Sequence, residues 1–313
     1  MSVYVVSKLG RRPQNEDEHK IIININNKNK TMAPVNFFGL YDGHGGRTIS
    51  KYLADNLFNF FTSLKVSYPL SGSYIRTVFK TIQDNLIKTH KKEATICGST
   101  CIVVIQYIHN NKQYIDIANL GDSRCVLCNF TNNKYNAICI TQDHKPNILS
   151  EKKRIEGLGG CITFDGFDWR VGDLSVSRSF GDLDNTPFIS SIPDLFRRQI
   201  TKNDKFIIIA CDGLWDVVEP IEAINIIVDL YNKHKEEQVV KQVNNEFHSI
   251  NKQIDIINTK INKKLSRKEK KDSNKSKKSN KSHINYSKYL AEYAYNKGSL
   301  DNISIIVVFF NEL

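Results

Sequence analysis

Short, almost wholly apolar runs alternate along the chain with stretches whose apolar residues recur every three or four positions. Residues 35–41, 100–109, 113–119, 124–130, 205–211 and 303–310 have strand length and are rich in β-branched and aromatic side chains, so they predict strands. The helical spacing predicts helices over 47–64, 73–91, 149–157, 221–233 and 286–296. Hairpin-like neighbours in the middle of the chain point to antiparallel sheets packed with helices, an α+β layer architecture. No internal repeat interrupts this order.

One helical pattern stands apart. Val240, Val243, Phe247, Ile250, Ile254, Ile257 and Ile261 recur at alternating spacings of three and four, an amphipathic helix of about three heptads. Such a stripe either docks on its own domain, the expected arrangement, or serves a partner or a second copy. The segment that follows, 261–282, is almost wholly Lys, Ser and Asn beyond Leu265 and has no aromatic residue. It buries too little surface to offset its ordering entropy and predicts disorder.

Composition changes the picture in three places. Of 313 residues, 40% are hydrophobic and 25% charged, which excludes wholesale disorder and allows a large core. The net charge of +11 suggests a nucleic-acid binder until it is located: between 260 and 281, eleven Lys/Arg face only Glu269 and Asp272. The rest of the chain is close to neutral and the basic segment lacks bases' stacking partners, so nucleic acid is not an expected ligand. Seven cysteines, an odd number without a secretory signal, read as reduced thiols. Cys125 and Cys128 form a C-x-x-C within a strand, where they point to opposite faces and read as ordinary buried thiols rather than a zinc or redox pair. No apolar run has the length of a membrane span, and the expected setting is cytosolic or nuclear.

The candidate chemistry lies at strand ends. Asp42 follows the apolar run 35–41, Asp212 follows 206–211, and Asp301 precedes 303–310. Carboxylates at the mouths of buried strands are held rigidly, and three of them meeting would repel strongly unless cations bridged them. An oxygen-only donor set favours Mg²⁺ or Mn²⁺ over zinc. Gly43 lets the backbone turn after Asp42, so its carbonyl can serve as a further oxygen ligand.

The ordered set Arg12-x-x-Asn15-Glu16-Asp17, YDGHGG (41–46), GST (98–100), NLGDSR (119–124), QDHKP (142–146), LSVSRSFGD (174–182), CDGLWDVV (211–218) and GSLDNIS (298–304) resembles the metal-dependent protein serine/threonine phosphatases of type 2C. The resemblance runs from about residue 8 to 310, broken only by the stripe and the basic segment. It implies a four-layer α-β-β-α sandwich, two antiparallel sheets flanked by helices, with two metal ions and a weaker third in a cleft at one end. Asp42 then matches the carboxylate bridging both ions, Gly43 the carbonyl ligand, and Asp212 and Asp301 ligands of the other ion. Glu16 and Asp17 match the acidic pair around metal-bound waters, and Asp122 and Asp216 the third-ion positions. The implied reaction is in-line attack by a metal-bridging hydroxide on phosphoserine or phosphothreonine, without a phospho-enzyme. Arg12 suits a phosphate dianion, and His44 can protonate the departing alkoxide. His144 reads as a loop brace and Arg178 as a tie within the polar interior. Trp169 and Arg170, in the flap-like stretch 165–172, can touch substrate flanks.

The departure from the family pattern is an insertion at about 236–282 in an otherwise single domain of 1–313. Its expected partners are none, an import receptor reading the cluster 263–271, or an acidic partner, nucleic acid or anionic membrane. The chain is expected to be a monomer acting on phosphoproteins. The alternative is an inactive scaffold recruiting partners through the insertion, which loss of a metal carboxylate or of Arg12 would favour; none is lost.

Overall fold

The computed structural model describes the chain apart from residues 26–32, 63–65 and 266–283, and describes no side chains from 257 to 265. The described residues divide into two compact units, Met1–Asn225 with Tyr286–Leu313, and Ile226–Asn285.

Ten strands make the two large sheets of the first unit: β1 Ser2–Lys8, β2 Glu18–Ile22, β3 Asn36–Tyr41, β4 Cys101–His109, β5 Lys112–Leu120, β6 Arg124–Thr131, β7 Lys134–Cys139, β8 Asp194–Ile200, β9 Asp204–Ala210 and β10 Ile303–Phe309. One antiparallel sheet has the order β1-β10-β9-β6-β7 and the other β8-β5-β4-β3-β2. Side-chain alternation sorts the buried strands between two cores. Phe38 and Leu40 of β3, Ile102 and Val104 of β4, and Ile207 and Ile209 of β9 meet in one cluster between the sheets. Their neighbours Phe37, Tyr41, Val103 and Ile105 face the other way, onto helices α1 Thr48–Asn56 and α2 Gly72–Thr89. On the far side, helix α3 Tyr286–Asn296 lies against β10 and β1. The expected four-layer sandwich is the observed one.

Three local expectations change. The helix foreseen over 47–64 ends at Asn56, and a single turn, Asn59–Thr62, follows it. The outer strands β1, β2, β7 and β8 were not expected from the pattern; they are only partly buried and carry Lys, Glu and Arg among their apolar residues. The helix foreseen over 221–233 and the amphipathic one beyond it are one continuous helix, Pro220–Leu265. Neither glycine nor proline occurs between 221 and 265, so nothing in the sequence breaks it.

The second unit contains most of that helix. Its stripe residues Val240, Val243, Phe247, Ile250 and Ile254 are between 43% and 62% exposed. The side chains of Ile257 and Ile261, and the basic residues beyond 265, lie outside the described residues.

Candidate active site

Antiparallel order explains why the acidic residues converge. At one edge of the sandwich β1, β9, β3 and β5 finish, while β10, β6, β4 and β2 begin. Arg12 follows β1, Asp42 follows β3, Asp122 lies between β5 and β6, Asp212 follows β9, Asp301 precedes β10, and Glu16 and Asp17 precede β2. Every sequence-predicted site residue therefore belongs to one edge, although they span almost three hundred positions.

They surround a cleft of about 1040 Å³ lined by Arg12, Glu16, Asp42, His44, Asp212 and Asp301 among others. Carboxylate oxygens of Asp42, Asp122 and Asp212 lie within 4.8 Å of one another. A second cluster brings Asp17, Asp42 and Cys211 within the same distance. Burial, and then the neighbouring carboxylates, push Asp42 and Asp212 well above the usual carboxylate range. Burial likewise raises Asp17 and Asp122 to about 6.

The donor set fits a hard divalent cation. Among the described residues, Asp17 Oδ1 is buried without a hydrogen-bond partner, and Asp122 Oδ2 has only Lys145 Nζ, 3.6 Å away. Unpaired buried anionic oxygens are costly, and a cation bound among them removes that cost. Gly43 has no room for a side chain: a Cβ there would sit 2.5 Å from the Glu16 carbonyl and 2.8 Å from Ser50 Oγ.

Two predicted residues sit in a more specific setting than the sequence indicated. Arg12, half exposed, places Nη2 2.5 Å from Asp301 Oδ2, while Asp301 Oδ1 accepts the Asn302 N–H at 2.6 Å. Asp216 lies 3.7 Å from Lys145 and is raised by burial. Asn302 ties the edge together: its Nδ2 donates to the carbonyls of Leu9 and Gln14, and its Oδ1 accepts the Glu16 N–H.

His144 and Arg178 act as braces, as expected. The Gly121 N–H donates to His144 Nδ1 at 3.0 Å, beside Asp122, and Arg178 joins buried Glu151 to Asp194. In the flap, Trp169 lies against Phe164 and Arg170 is tied to Asp165. Phe167, 93% exposed at the cleft, was not singled out by the sequence.

Sequence reasoning also missed Lys145, which sets a positive charge among Asp122, Asp216 and Asp212; those charges outweigh the lowering effect of its burial and raise its pKa. It missed Asp182 as well, the partner of His44 at 2.8 Å. Both fall inside motifs already noted, QDHKP and SFGD, so the motifs were the available signal. Burial alone would lower the His44 pKa; the hydrogen bond and charge of Asp182 reverse the direction to upward.

A family model described as protein phosphatase 2C matches residues 2–303. A PP2C-like domain-containing protein of Acanthamoeba polyphaga mimivirus is 40% identical over 209 residues, covering 65% of this chain and 98% of that protein. The integrin-linked kinase-associated serine/threonine phosphatase 2C of Rattus norvegicus is 35% identical over 255 residues, covering 74% of this chain but only 61% of its own length. Among solved structures, a serine-threonine phosphatase 2C from Toxoplasma gondii superposes with a TM-score of 0.71 at 21% identity, covering 99% of this chain and 94% of that one, and shares the fold.

Proposed function

From the chain's membership of the protein phosphatase 2C family, which its match over residues 2–303 establishes, we propose that it is a metal-dependent protein serine/threonine phosphatase. The observation that carries the reading is the cluster of Asp42, Asp122 and Asp212 at one sheet edge, Asp122 buried and the other two half-buried, with its carboxylates pushed up by burial and mutual repulsion. Phosphoserine and phosphothreonine proteins are the substrate class.

Asp42, the Gly43 carbonyl, Asp212 and Asp301 are the residues that would hold two Mg²⁺ or Mn²⁺ ions, with Glu16 and Asp17 outside them and Asp122 and Asp216 toward a weaker third. When bound, such ions neutralise the cluster and acidify water for attack on phosphorus. Arg12 offers the phosphate a planar fork of donors at the cleft mouth. His44 gives a proton to the serine or threonine oxygen as it leaves. No cysteine nucleophile is needed, and the one beside the cluster is poorly suited: burial, then Asp17 and Asp42, raise the Cys211 thiol well above its usual range. A cytosolic or nuclear setting belongs to the proposal and is supported by seven free cysteines. The intact carboxylate set speaks against the inactive scaffold.

The exposed stripe supports a partner-binding role for the insertion, separate from turnover. With Mn²⁺ present, both the full chain and a variant lacking 251–282 should release phosphate from a small aryl phosphate at rates within about threefold of each other, since the cluster lies wholly outside that segment. A large loss in the deletion alone would make the insertion part of the catalytic fold. A folded full chain that releases no phosphate would overturn the phosphatase reading.

A further inference from the structure

We propose that Asp182 is the positioning residue of His44: it holds the imidazole by Nε2 and so presents Nδ1 to the leaving group. The inference rests on the phosphatase reading and adds a residue to it.

The geometry is specific. His44 Nε2 lies 2.9 Å and 2.8 Å from the two carboxylate oxygens of Asp182. A carboxylate only accepts hydrogen bonds, so Nε2 carries the hydrogen and is committed to this contact. Nδ1 is then the one ring nitrogen left for a substrate in the cleft that His44 lines. Asp182 is 2% exposed, and a buried carboxylate persists only when it is paired.

Several elements converge to keep Asp182 there. The Ser179 hydroxyl donates to its Oδ2, and the Asp182 N–H donates to the Cys97 carbonyl at 3.2 Å. Asp182 has φ +48° and ψ +43°, a left-handed conformation uncommon for a residue with a side chain. The preceding Gly181 is gripped by the Gln83 amide, which accepts its N–H at 3.0 Å and donates to its carbonyl at 3.1 Å. Gly98 completes the cradle: a Cβ there would fall 2.1 Å from Asp182 Oδ2 and 2.4 Å from His44 Nε2. The glycine of the GST motif thus makes room for this pair. A carboxylate with a structural task alone would need neither the left-handed backbone nor a cradle that opens on the cleft-lining histidine.

In the step itself a water oxygen bonds to phosphorus and gives one proton to solvent, while the ester P–O bond breaks and its electron pair stays on the serine or threonine oxygen. The hydrogen on His44 Nδ1 moves to that oxygen, the imidazolium becomes neutral, and Nε2–H stays on Asp182. Water restores the Nδ1 proton. A nitrophenolate leaves without a proton, and a threonine alkoxide does not; this difference separates positioning from mere structural support.

The test compares wild type, Asp182→Asn, His44→Ala and the double variant, each Mn²⁺-loaded, on a phosphothreonine peptide and on p-nitrophenyl phosphate. Asp182→Asn should lower kcat on the peptide about 100-fold with KM little changed, and change p-nitrophenyl phosphate turnover less than about threefold. In the His44→Ala background it should cost nothing further on the peptide. Equal losses on both substrates, or losses that add in the double variant, would overturn the proposal. If Asp182→Asn does not fold, Ser179→Ala, which removes only the hydroxyl holding the carboxylate, should give a smaller loss confined to the peptide, and a loss common to both substrates would overturn it. A wild type inactive on both substrates would instead sink the underlying phosphatase reading.

Discussion

Asp42→Asn should yield a folded protein that is at least about 1,000-fold slower than wild type and, without metal, more heat-stable than wild type. The loss follows from removing the carboxylate at the centre of both acidic clusters, a change worth about 4 kcal/mol or more of barrier. The gain follows from the direction of its pKa. Burial, and then Asp212, Asp17, Asp122 and Asp301, raise Asp42 above its unfolded value. A carboxylate raised by folding binds its proton more tightly in the folded state, so its ionisation increasingly penalises the fold as pH climbs above about 4. Asparagine mimics the protonated form and escapes that penalty. Melting temperatures in chelator should therefore favour Asp42→Asn by more at pH 7 than at pH 5. Adding Mn²⁺ should reverse the order at pH 7, because cations stabilise the wild-type cluster. An apo variant no more stable than apo wild type at pH 7 would mean the carboxylates do not repel one another as their burial implies.

Gly213→Ala should be among the most damaging single-methyl changes in the molecule. A Cβ at Gly213 would sit 1.9 Å from the Asn302 carbonyl oxygen, a backbone atom that no side-chain rotation can move. The same approach joins the segment after β9 to the one before β10, and these carry Asp212 and Asp301. Ser299 Oγ, donating to the Gly213 carbonyl at 2.7 Å, holds the two together from the other side. Forcing them apart should cost about 3 kcal/mol or more and lower the melting temperature by about 10 °C. The more telling effect is on metal: calorimetric Mn²⁺ affinity should fall even where the variant still folds, because both ligand-bearing segments shift. Unchanged affinity with reduced stability would show that this contact supports the fold without setting the site.

The central strands were legible because burial on both faces makes them continuous apolar runs. Asn36–Tyr41 and Ile303–Phe309 could hardly be anything else, and the aspartates at their ends mark where such runs meet solvent. The outer strands were not legible for the converse reason. Asp194–Ile200 carries Arg197 and Arg198 among its apolar residues, and Arg197 finds its partner Asp116 on the neighbouring strand, a contact 81 positions away. Leu57 and Phe58 continue the apolar periodicity past the point where helix α1 ends, so the helix was read too long. At the site, the residues flanking strands were found and those held by distant contacts were not. Asp182 reaches His44 across 138 positions, and no local pattern encodes that pairing. The amphipathic stripe was legible as a helix, since periodicity gives a helix its apolar face without saying what covers it.

The acidic cluster is expected to turn over phosphoprotein substrate only with divalent cations bound. Phosphate release from a phosphothreonine peptide, measured after chelator treatment and again after adding back Mn²⁺, tests it most directly. Turnover should fall to background in chelator and return with Mn²⁺ while circular dichroism stays unchanged. Turnover that persists in chelator, in protein shown to be metal-free, would contradict it.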